Sequence, residues 1–404
     1  MNNKFFFLSS HDNDFFGYFN KSPIDKNNNF IIFHSCSFKG RMPKKGEKVL
    51  IVLYDVRNDK NIVLDSTSSW NWQLGSMLQW LNYEDKIIYN IFEDNEPKTI
   101  INNIYNNTKE IHPYNFITVS KKINSYLSIN FNHLNITRAG YGYNYENDYT
   151  KDFYLIEYDY KKKVINFKLD YSFFISKNNC KDLKKYSLEH FEYSPCGNKI
   201  SFIERWDLSK NHRFSRLVIM NRENKDYIYA TQCGRVTHYI WLNDNEIMYF
   251  GSSKLNLSNK VRLNKSYIFN LLYFFYKFLK LNKFNLIKNN LNGDGFKILN
   301  IKDKKIEDIN IKKNFGDGHP TYSKNNNKVY IDTYPDNYGK IRLYSYNFLS
   351  KKTEIVEEFY TDKKNINTGY RTDLHPKINK SENLIFIDIE NKQKRSLAAF
   401  KIFN

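Results

Sequence analysis

Four histidines open a repeated sequence template, and histidine is the side chain best suited to move protons or hold metal ions near neutral pH. Each is followed by a short stretch, a turn of polar residues and an apolar run. The four are His190, His238, His319 and His375. A histidine at the start of a strand can also cap a turn through backbone hydrogen bonds, and both roles stay open for His190 and His375. We favour a functional role for His238 and His319, because polar residues flank both in matching positions.

Other conspicuous residues belong to the same repeats. The motif Asp332-Thr-Tyr-Pro-Asp336 follows the third template. Its two carboxylates either stabilise a turn or take part in a site. Trp70, Trp72 and Trp80 are expected in the core, with stacking on sugar rings as the alternative role for exposed aromatic residues.

Short β-strands must position these side chains. Runs such as residues 49–54 and 246–250 alternate with turn clusters of Asn, Asp, Gly and Lys, as in all-β folds. The template recurs at roughly 40 to 55 residues, which is typical of propeller blades. Weaker copies near Trp80 and Phe116, and one starting near Phe30, bring the number to about seven.

The sequence therefore predicts an all-β fold, a β-propeller of about seven four-stranded blades, with six or eight as alternatives. We expect one propeller domain over residues 1–404. The apolar run at residues 5–8 is expected to add a strand to the last blade, which would leave no free edge.

One segment interrupts the rhythm of the repeats. Residues 263–290 are rich in Phe, Leu and Tyr, with lysines three to five residues apart. This pattern predicts a helical insertion, basic on one side and aromatic on the other. The helix either packs on the propeller rim or docks on an anionic membrane surface or a partner enzyme.

Charge and composition limit the partners. Lysine and arginine number 62 against 43 aspartates and glutamates, a net charge of +19. Such an excess attracts polyanions, although a solvated basic surface is the simpler interpretation. No nucleic-acid-binding motif accompanies the charge, so we expect no nucleic-acid partner. With no signal-peptide pattern, no apolar stretch of about 20 residues and no paired cysteine motif, we expect a cytoplasmic protein, with peripheral membrane contact as an alternative.

At several motifs the sequence resembles a bacterial family of TolB-like propellers that is similar to oligogalacturonate lyases and is associated with polysaccharide and glycosyltransferase genes. The resemblance covers nearly the whole chain outside the insertion. The motifs that carry it are Trp70-Asn-Trp-Gln-Leu-Gly-Ser-Met-Leu-Gln-Trp-Leu81, Arg138-Ala-Gly-Tyr-Gly-Tyr143, Gly316-Asp-Gly-His-Pro-Thr-Tyr-Ser323, Asp332-Thr-Tyr-Pro-Asp336 and Arg371-Thr-Asp-Leu-His-Pro376.

The resemblance implies a divalent metal site, with Mn²⁺ as the expected ion. The lyases take their ligands from a Thr-His-x-x-Trp motif and a Gln-x-x-His-x-His-Pro motif. His238 matches the first, and Asn314, Asp317 and His319 stand at the second, so that Asn replaces Gln and Asp replaces one His. Oxygen ligands of this kind suit Mn²⁺ or Mg²⁺. His190 stands where the family has its proton-transferring histidine.

Elimination from a uronic-acid glycoside removes a weakly acidic proton next to a carboxylate, so it needs a base and a positive charge on that carboxylate. Arginine binds carboxylates through two parallel hydrogen bonds. Arg205 is therefore grouped with the catalytic base, and Arg138 and Arg371 with substrate binding. His375 and Tyr334, which lie in the motifs above, complete the expected substrate-binding set.

Two functions follow. The first is a carbohydrate-active propeller with a lyase-like, metal-assisted site for acidic, uronate-containing oligosaccharides or polysaccharides. The second is a non-catalytic propeller that binds glycans or scaffolds surface-polysaccharide biosynthesis, with a glycosyltransferase as the expected partner of residues 263–290. The changes at Asn314 and Asp317 favour the second function, and the retained polar motif residues favour the first. Whether the protein is an enzyme stays open at this point.

Overall fold

The chain folds into seven four-stranded antiparallel sheets, the blades of a seven-bladed β-propeller, as the sequence predicts. The computed structural model describes residues 5–81, 85–120, 122–138, 140–145, 153–175, 185–209, 212–231, 234–252, 293–311, 315–391 and 394–402. The predicted insertion at 263–290 and the predicted ligand Asn314 lie outside these ranges. The proposed helix and its membrane or partner contact therefore stay predictions.

The first three blades follow a short N-terminal strand, β1 (Phe7–Leu8). Blade 1 contains β2 (Asn13–Phe15), β3 (Phe30–Cys36), β4 (Val49–Asp55) and β5 (Lys60–Thr67). Blade 2 contains β6 (Gln79–Leu81), β7 (Lys86–Glu93), β8 (Glu96–Asn103) and β9 (Lys109–Pro113). Blade 3 contains β10 (Phe116–Val119), β11 (Ser125–Ile129), β12 (Tyr154–Asp159) and β13 (Val164–Asp170).

The remaining four blades continue in chain order. Blade 4 contains β14 (Tyr186–Tyr193), β15 (Lys199–Ser209), β16 (His212–Asn221) and β17 (Tyr227–Tyr229). Blade 5 contains β18 (Val236–Asn243), β19 (Glu246–Ser252), β20 (Asp294–Asn300) and β21 (Lys305–Asp308). Blade 6 contains β22 (Pro320–Ser323), β23 (Lys328–Asp332), β24 (Lys340–Asn347) and β25 (Thr353–Tyr360). Blade 7 contains β26 (Lys377–Ile378), β27 (Leu384–Asn391) and β28 (Lys394–Lys401), with β1 as its fourth strand.

Helical structure is sparse in the described residues. Helix α1 (Phe131–Thr137) lies between β11 and β12, and the side chain of Asn130 caps it by accepting a hydrogen bond from the His133 amide. Helix α2 (Ser172–Ile175) follows β13, and a single 3₁₀ turn spans Lys363–Asn365. None of the described helices is long and apolar enough to cross a membrane.

The chain divides into two compact units. The first comprises residues 1–187, 319–350 and 354–404, and the second comprises residues 188–318 and 351–353. A core of Ile, Leu, Val and Phe side chains runs through blades 1, 2 and 7 of the first unit. The second unit has its own core between blades 4 and 5, built around Ile203, Leu217, Tyr239 and Ile247.

The predicted core tryptophans are confirmed. Trp70, Trp72 and Trp80 are each at most 4% exposed. Each indole N–H donates to a backbone carbonyl, at 2.7 to 2.9 Å, so that the polar edge of each ring is satisfied inside the core.

The repeat histidines mark four separate blades, as predicted. His190 lies in β14 and His238 in β18, whereas His319 directly precedes β22 and His375 lies two residues before β26. The start expected near Phe30 is wrong, because Phe30 begins the second strand of blade 1 and β2 begins at Asn13. Strand β2 has only three residues, too few to show the apolar alternation of a strand.

Candidate functional site

In the second unit, His190 is part of a buried group of charged side chains. Its Nδ1 lies 3.4 Å from Oε2 of Glu189, and Nε of Arg205 forms an ion pair with the other oxygen of Glu189. Arg205 also donates from Nη2 to the carbonyl of Thr237 over 3.2 Å. Burial lowers the pKa of His190 to about 4, although Glu189 acts in the opposite direction. His190 is therefore neutral at pH 7 and able to accept a proton.

His238 stands next to His190 and has a carboxylate of its own. The two rings are 5.5 Å apart, centre to centre, and meet edge to face. Nδ1 of His238 donates to Oδ1 of Asp317 over 3.0 Å. The same oxygen accepts hydrogen bonds from Oγ1 of Thr237 at 2.8 Å and from the Gly318 amide at 2.9 Å. Asp317 thus fixes the His238 tautomer in which Nδ1 carries the proton and Nε2 does not. These residues, Glu189, His190, Arg205, Thr237, His238 and Asp317, form the His190 cluster.

Asp317 is held in its ionised form by these contacts. Burial alone would raise the pKa of its carboxyl group, but His238, Arg235 and Thr237 together outweigh this and lower it to about 2. Because one oxygen of Asp317 already accepts three hydrogen bonds, we interpret this carboxylate as the group that orients His238.

In the first unit, His319 and His375 form a second group with two aspartates. Their rings are 4.2 Å apart, centre to centre, and nearly perpendicular. Asp332, at the end of β23, accepts from Nδ1 and the amide of His319, at 3.0 and 2.6 Å, and from the His375 amide at 3.0 Å. Asp373 completes the group, since one ligand atom from each of His319, Asp373 and His375 lies within 4.8 Å of the others. We call Asp332 and these three residues the His319 cluster.

Two other predicted substrate-binding residues contact this cluster, Arg371 through Asp373 and Tyr334 through His319, whose ring centre lies 5.6 Å from that of Tyr334. Nε of Arg371 donates to both oxygens of Asp373, at 2.8 and 3.0 Å, and its guanidinium lies 4.7 Å from the ring centre of Tyr334. Burial lowers the pKa of Arg371, but Asp373, Tyr334 and Tyr141 outweigh this, and the pKa lies above its ordinary value. Arg138, at the end of α1, stacks its guanidinium 4.4 Å from the Tyr141 ring.

Two of these histidines have an unusual backbone. His190 and His375 have φ angles of 56° and 45°, in the left-handed region that ordinary side chains rarely adopt. Such strain persists where the surrounding structure imposes it, and it is often found at functional sites. This backbone conformation sets the direction in which each imidazole leaves the main chain.

The described candidates divide between the two units. His190, Arg205, His238 and Asp317 lie in the second unit, and His319, His375, Tyr334, Arg138 and Arg371 lie in the first. Sharing of one ion by His238 and His319 stays a prediction. Of the two motif aspartates, Asp336 stabilises a turn by accepting from the amides of Tyr338 and Lys340, whereas Asp332 belongs to the His319 cluster.

Sequence reasoning missed two carboxylates. Glu189 directly precedes His190. Asp373 lies two residues before His375, in the motif from which Arg371 and His375 were predicted as site residues. A carboxylate one or two residues before a repeat histidine is the signal that could have found them.

Comparisons with known proteins agree with the fold. No protein-family model and no curated protein matches the sequence. Among solved structures, the chain is similar to oligogalacturonate lyase from Vibrio parahaemolyticus, with 11% identity, a TM-score of 0.61, and coverage of 98% of this chain and 92% of that chain. The β-propeller domain of the Trilobed protease from Pyrococcus furiosus matches with 8% identity and a TM-score of 0.54, over 96% of both chains.

TolB from Acinetobacter baumannii gives a TM-score of only 0.41 at 8% identity, over 92% of this chain and 80% of that chain, and nothing further follows from it. Identities this low establish a shared propeller fold and leave function to be argued from the clusters themselves. By its fold, the chain is a seven-bladed propeller similar to that of an oligogalacturonate lyase.

Proposed function

We propose that the protein is a carbohydrate-active propeller that cleaves acidic, uronate-containing saccharides by β-elimination. The observation that carries the proposal is the pair of adjacent imidazoles in the His190 cluster, each beside its own carboxylate. Such a pair is suited to proton transfer, because each carboxylate orients its ring and stabilises the protonated form. The similarity to an oligogalacturonate lyase shows the shared fold, and assigning the same reaction class to this chain is part of the proposal.

In this reaction, His190 takes the proton from the carbon next to the substrate carboxylate. The electron pair of that C–H bond forms a C=C bond, and the glycosidic oxygen leaves and takes up a proton. In the proposed reaction, His238, oriented by Asp317, receives the proton from His190 and returns it to the leaving oxygen. Arg205 acts as a positioning residue, because its guanidinium holds Glu189 beside His190.

A divalent ion, expected to be Mn²⁺, would stabilise the negative charge that develops on the substrate carboxylate. The protein offers nitrogen and oxygen donors suited to such an ion in both clusters, on His238 in the second unit and on His319, Asp373 and His375 in the first. The net charge of +19 favours an acidic substrate, because it raises the local concentration of polyanions.

The test is an assay for the unsaturated product, which absorbs in the ultraviolet. Purified protein with Mn²⁺ is incubated with oligogalacturonides and a panel of other uronides. We expect a time-dependent rise in absorbance that falls by about 100-fold or more in His190→Asn, the loss typical of removing a general base. Asparagine tolerates a positive φ, so the variant keeps the backbone at residue 190.

His11→Ala is the matched control, because His11 is an exposed histidine on blade 1 that binds Ser35 and lies outside both clusters. It should retain full activity. If no uronide yields product although the protein has bound its metal, the lyase function is wrong, and the protein is a glycan-binding or scaffold propeller instead.

A further inference from the structure

We propose that His319, Asp373 and His375 bind one divalent transition-metal ion, with Asp332 as the residue that orients His319. This set shares only His319 with the ligands implied by the sequence, His238, Asn314 and Asp317. It draws its ligands from the starts of two successive blades of the first unit.

The geometry of the three side chains fits an ion. Their ligand atoms lie within 4.8 Å of one another, and all three residues are buried. Two atoms that each lie about 2.1 Å from an ion are at most about 4.2 Å apart. In a tetrahedral site such atoms lie about 3.4 Å apart. Ligand atoms up to 4.8 Å apart therefore have to move closer by up to about 1.4 Å, which rotation of the three side chains allows.

Asp332 provides the orientation that metal-bound histidines normally have. Because Asp332 accepts from Nδ1 of His319, Nε2 is the nitrogen that would hold the ion. Most metal-ligating histidines donate their other ring N–H to a carboxylate or carbonyl in this way, which fixes the tautomer and makes the ring a better ligand. The Asp332 carboxylate also fixes the His375 backbone at 3.0 Å, so one side chain holds both histidine ligands.

The charges of the cluster also favour a cation. Asp332 is 1% exposed, and among the described residues its ion-pair partner is His319. The buried Lys377, which pairs with Asp388, also acts on Asp332 electrostatically. A buried carboxylate is costly unless positive charge lies near it. A cation on His319 would add to the charge of Lys377 through the imidazole ring. Asp373 is held by Arg371, and its oxygens have further lone pairs with which to bind an ion.

The ligand chemistry selects the kind of ion. Two imidazoles and one carboxylate are typical of sites for Zn²⁺, Fe²⁺ or Mn²⁺ with open positions for water or substrate, whereas Ca²⁺ and Mg²⁺ prefer oxygen ligands alone. Three protein ligands leave such a site coordinatively open. An anionic group of a saccharide could then bind the ion beside Arg371.

The test is metal binding by the full chain after dialysis against a chelator, without any saccharide. We expect calorimetry to show one tight site for Zn²⁺ or Mn²⁺, and Co²⁺ to give the visible absorption of a nitrogen- and oxygen-ligated ion. His319→Ala should abolish this binding, and His11→Ala should retain it. Asp332→Asn, which removes the charge but keeps the shape, should weaken it by about 10- to 100-fold.

Two results would overturn the proposal: no saturable binding of any of the three ions by the unaltered chain, or unchanged affinity in His319→Ala. If that variant does not fold, the Co²⁺ spectrum of the unaltered chain and the affinity of Asp332→Asn decide. Binding without uronide cleavage leaves the metal site standing and removes the lyase function.

Discussion

At the scale of single residues, His34 shows how strongly the core constrains an imidazole. It lies in β3, fully buried, and its Nε2 accepts a hydrogen bond from the Ser76 amide over 3.0 Å. Protonation of Nε2 would remove this bond and place a charge in the core. Burial accordingly lowers the pKa of His34 from 6.5 to about 3.

We therefore expect His34 to make the fold sensitive to acid. The unfolded chain binds a proton at His34 below about pH 6.5, and the folded chain does so only near pH 3, so the free energy of unfolding falls as the pH falls through this window. The loss by pH 4 should be about 3 kcal/mol, since one pKa unit corresponds to about 1.4 kcal/mol. Urea denaturation at several pH values checks this, with His34→Gln as the variant that cannot titrate.

The unaltered chain and His34→Gln should differ in how steeply the free energy of unfolding falls with pH, rather than in its value at any one pH. Carboxylates titrate in both, so only the difference between their curves belongs to His34. Parallel curves between pH 7 and pH 4 would show that the imidazole is protonated without cost.

Single residues also show where sequence reasoning ends. The pattern singled out His319 and His375 as members of separate repeats, but nothing in their spacing brings the two rings to 4.2 Å. Nor could it show that Arg205 is bound to Glu189, because that ion pair depends on the pairing of β14 with β15. Contacts between blades and between strands arise from packing, which a repeat pattern does not encode.

At the scale of elements, the turn before β6 explains a glycine of the Trp70 motif. Gly75 has a φ of +58°, and a Cβ there would lie 2.3 Å from Cε1 of His34. Its amide donates to the Asn71 carbonyl at 2.9 Å, closing the turn. The glycine is therefore required twice, for the left-handed backbone and for the space that the imidazole occupies.

Gly75→Ala should lower the free energy of unfolding by about 2 to 4 kcal/mol, the sum of the backbone penalty and the cost of overpacking. Gly40→Ala is the matched control, because Gly40 has a φ of +76° with nothing within 4 Å of the added Cβ. The control should lose only the backbone contribution, about 1 kcal/mol. Equal losses in the two variants, measured by chemical denaturation, would mean that His34 moves aside freely.

Strands could be predicted where their sequence has a recognisable pattern of apolar and turn residues. The repeated template located the first strands of blades 4 to 7, because each couples a histidine to a turn and an apolar run. Strand β2 was missed because its three residues, Asn13 to Phe15, owe their strand conformation to pairing with β3. Its conformation is thus imposed by the neighbouring strand rather than by its own composition.

At the scale of the whole molecule, the predicted addition of an N-terminal strand to the last blade is confirmed. Phe7 pairs with Ala399 and Leu8 with Ala398, and the Ser9 amide donates to the Leu397 carbonyl at 2.9 Å. The Phe7 side chain is 7% exposed and packs against the rings of Phe33 and Tyr54, in blade 1.

Phe7→Ala should therefore lower the free energy of unfolding by about 3 kcal/mol, the usual cost of removing a buried phenylalanine. Phe6→Ala should cost less than about 0.5 kcal/mol, since Phe6 is 42% exposed although it is the neighbouring residue. Guanidinium denaturation of both variants measures the difference. Similar values would show that β1 contributes little to joining blades 1 and 7.

The pairing of β1 with β28 has a consequence for biosynthesis. Phe7 leaves the ribosome long before its partner Ala399, because all the other blades lie between the two residues in the sequence. Until β28 emerges, the edge of β1 therefore has no native strand to pair with, and blade 7 cannot be completed before the other six blades have been synthesised. A chain released early would expose that unpaired edge, which is a template for aggregation. Completion of blade 7 is thus a late step of folding, because it requires β28.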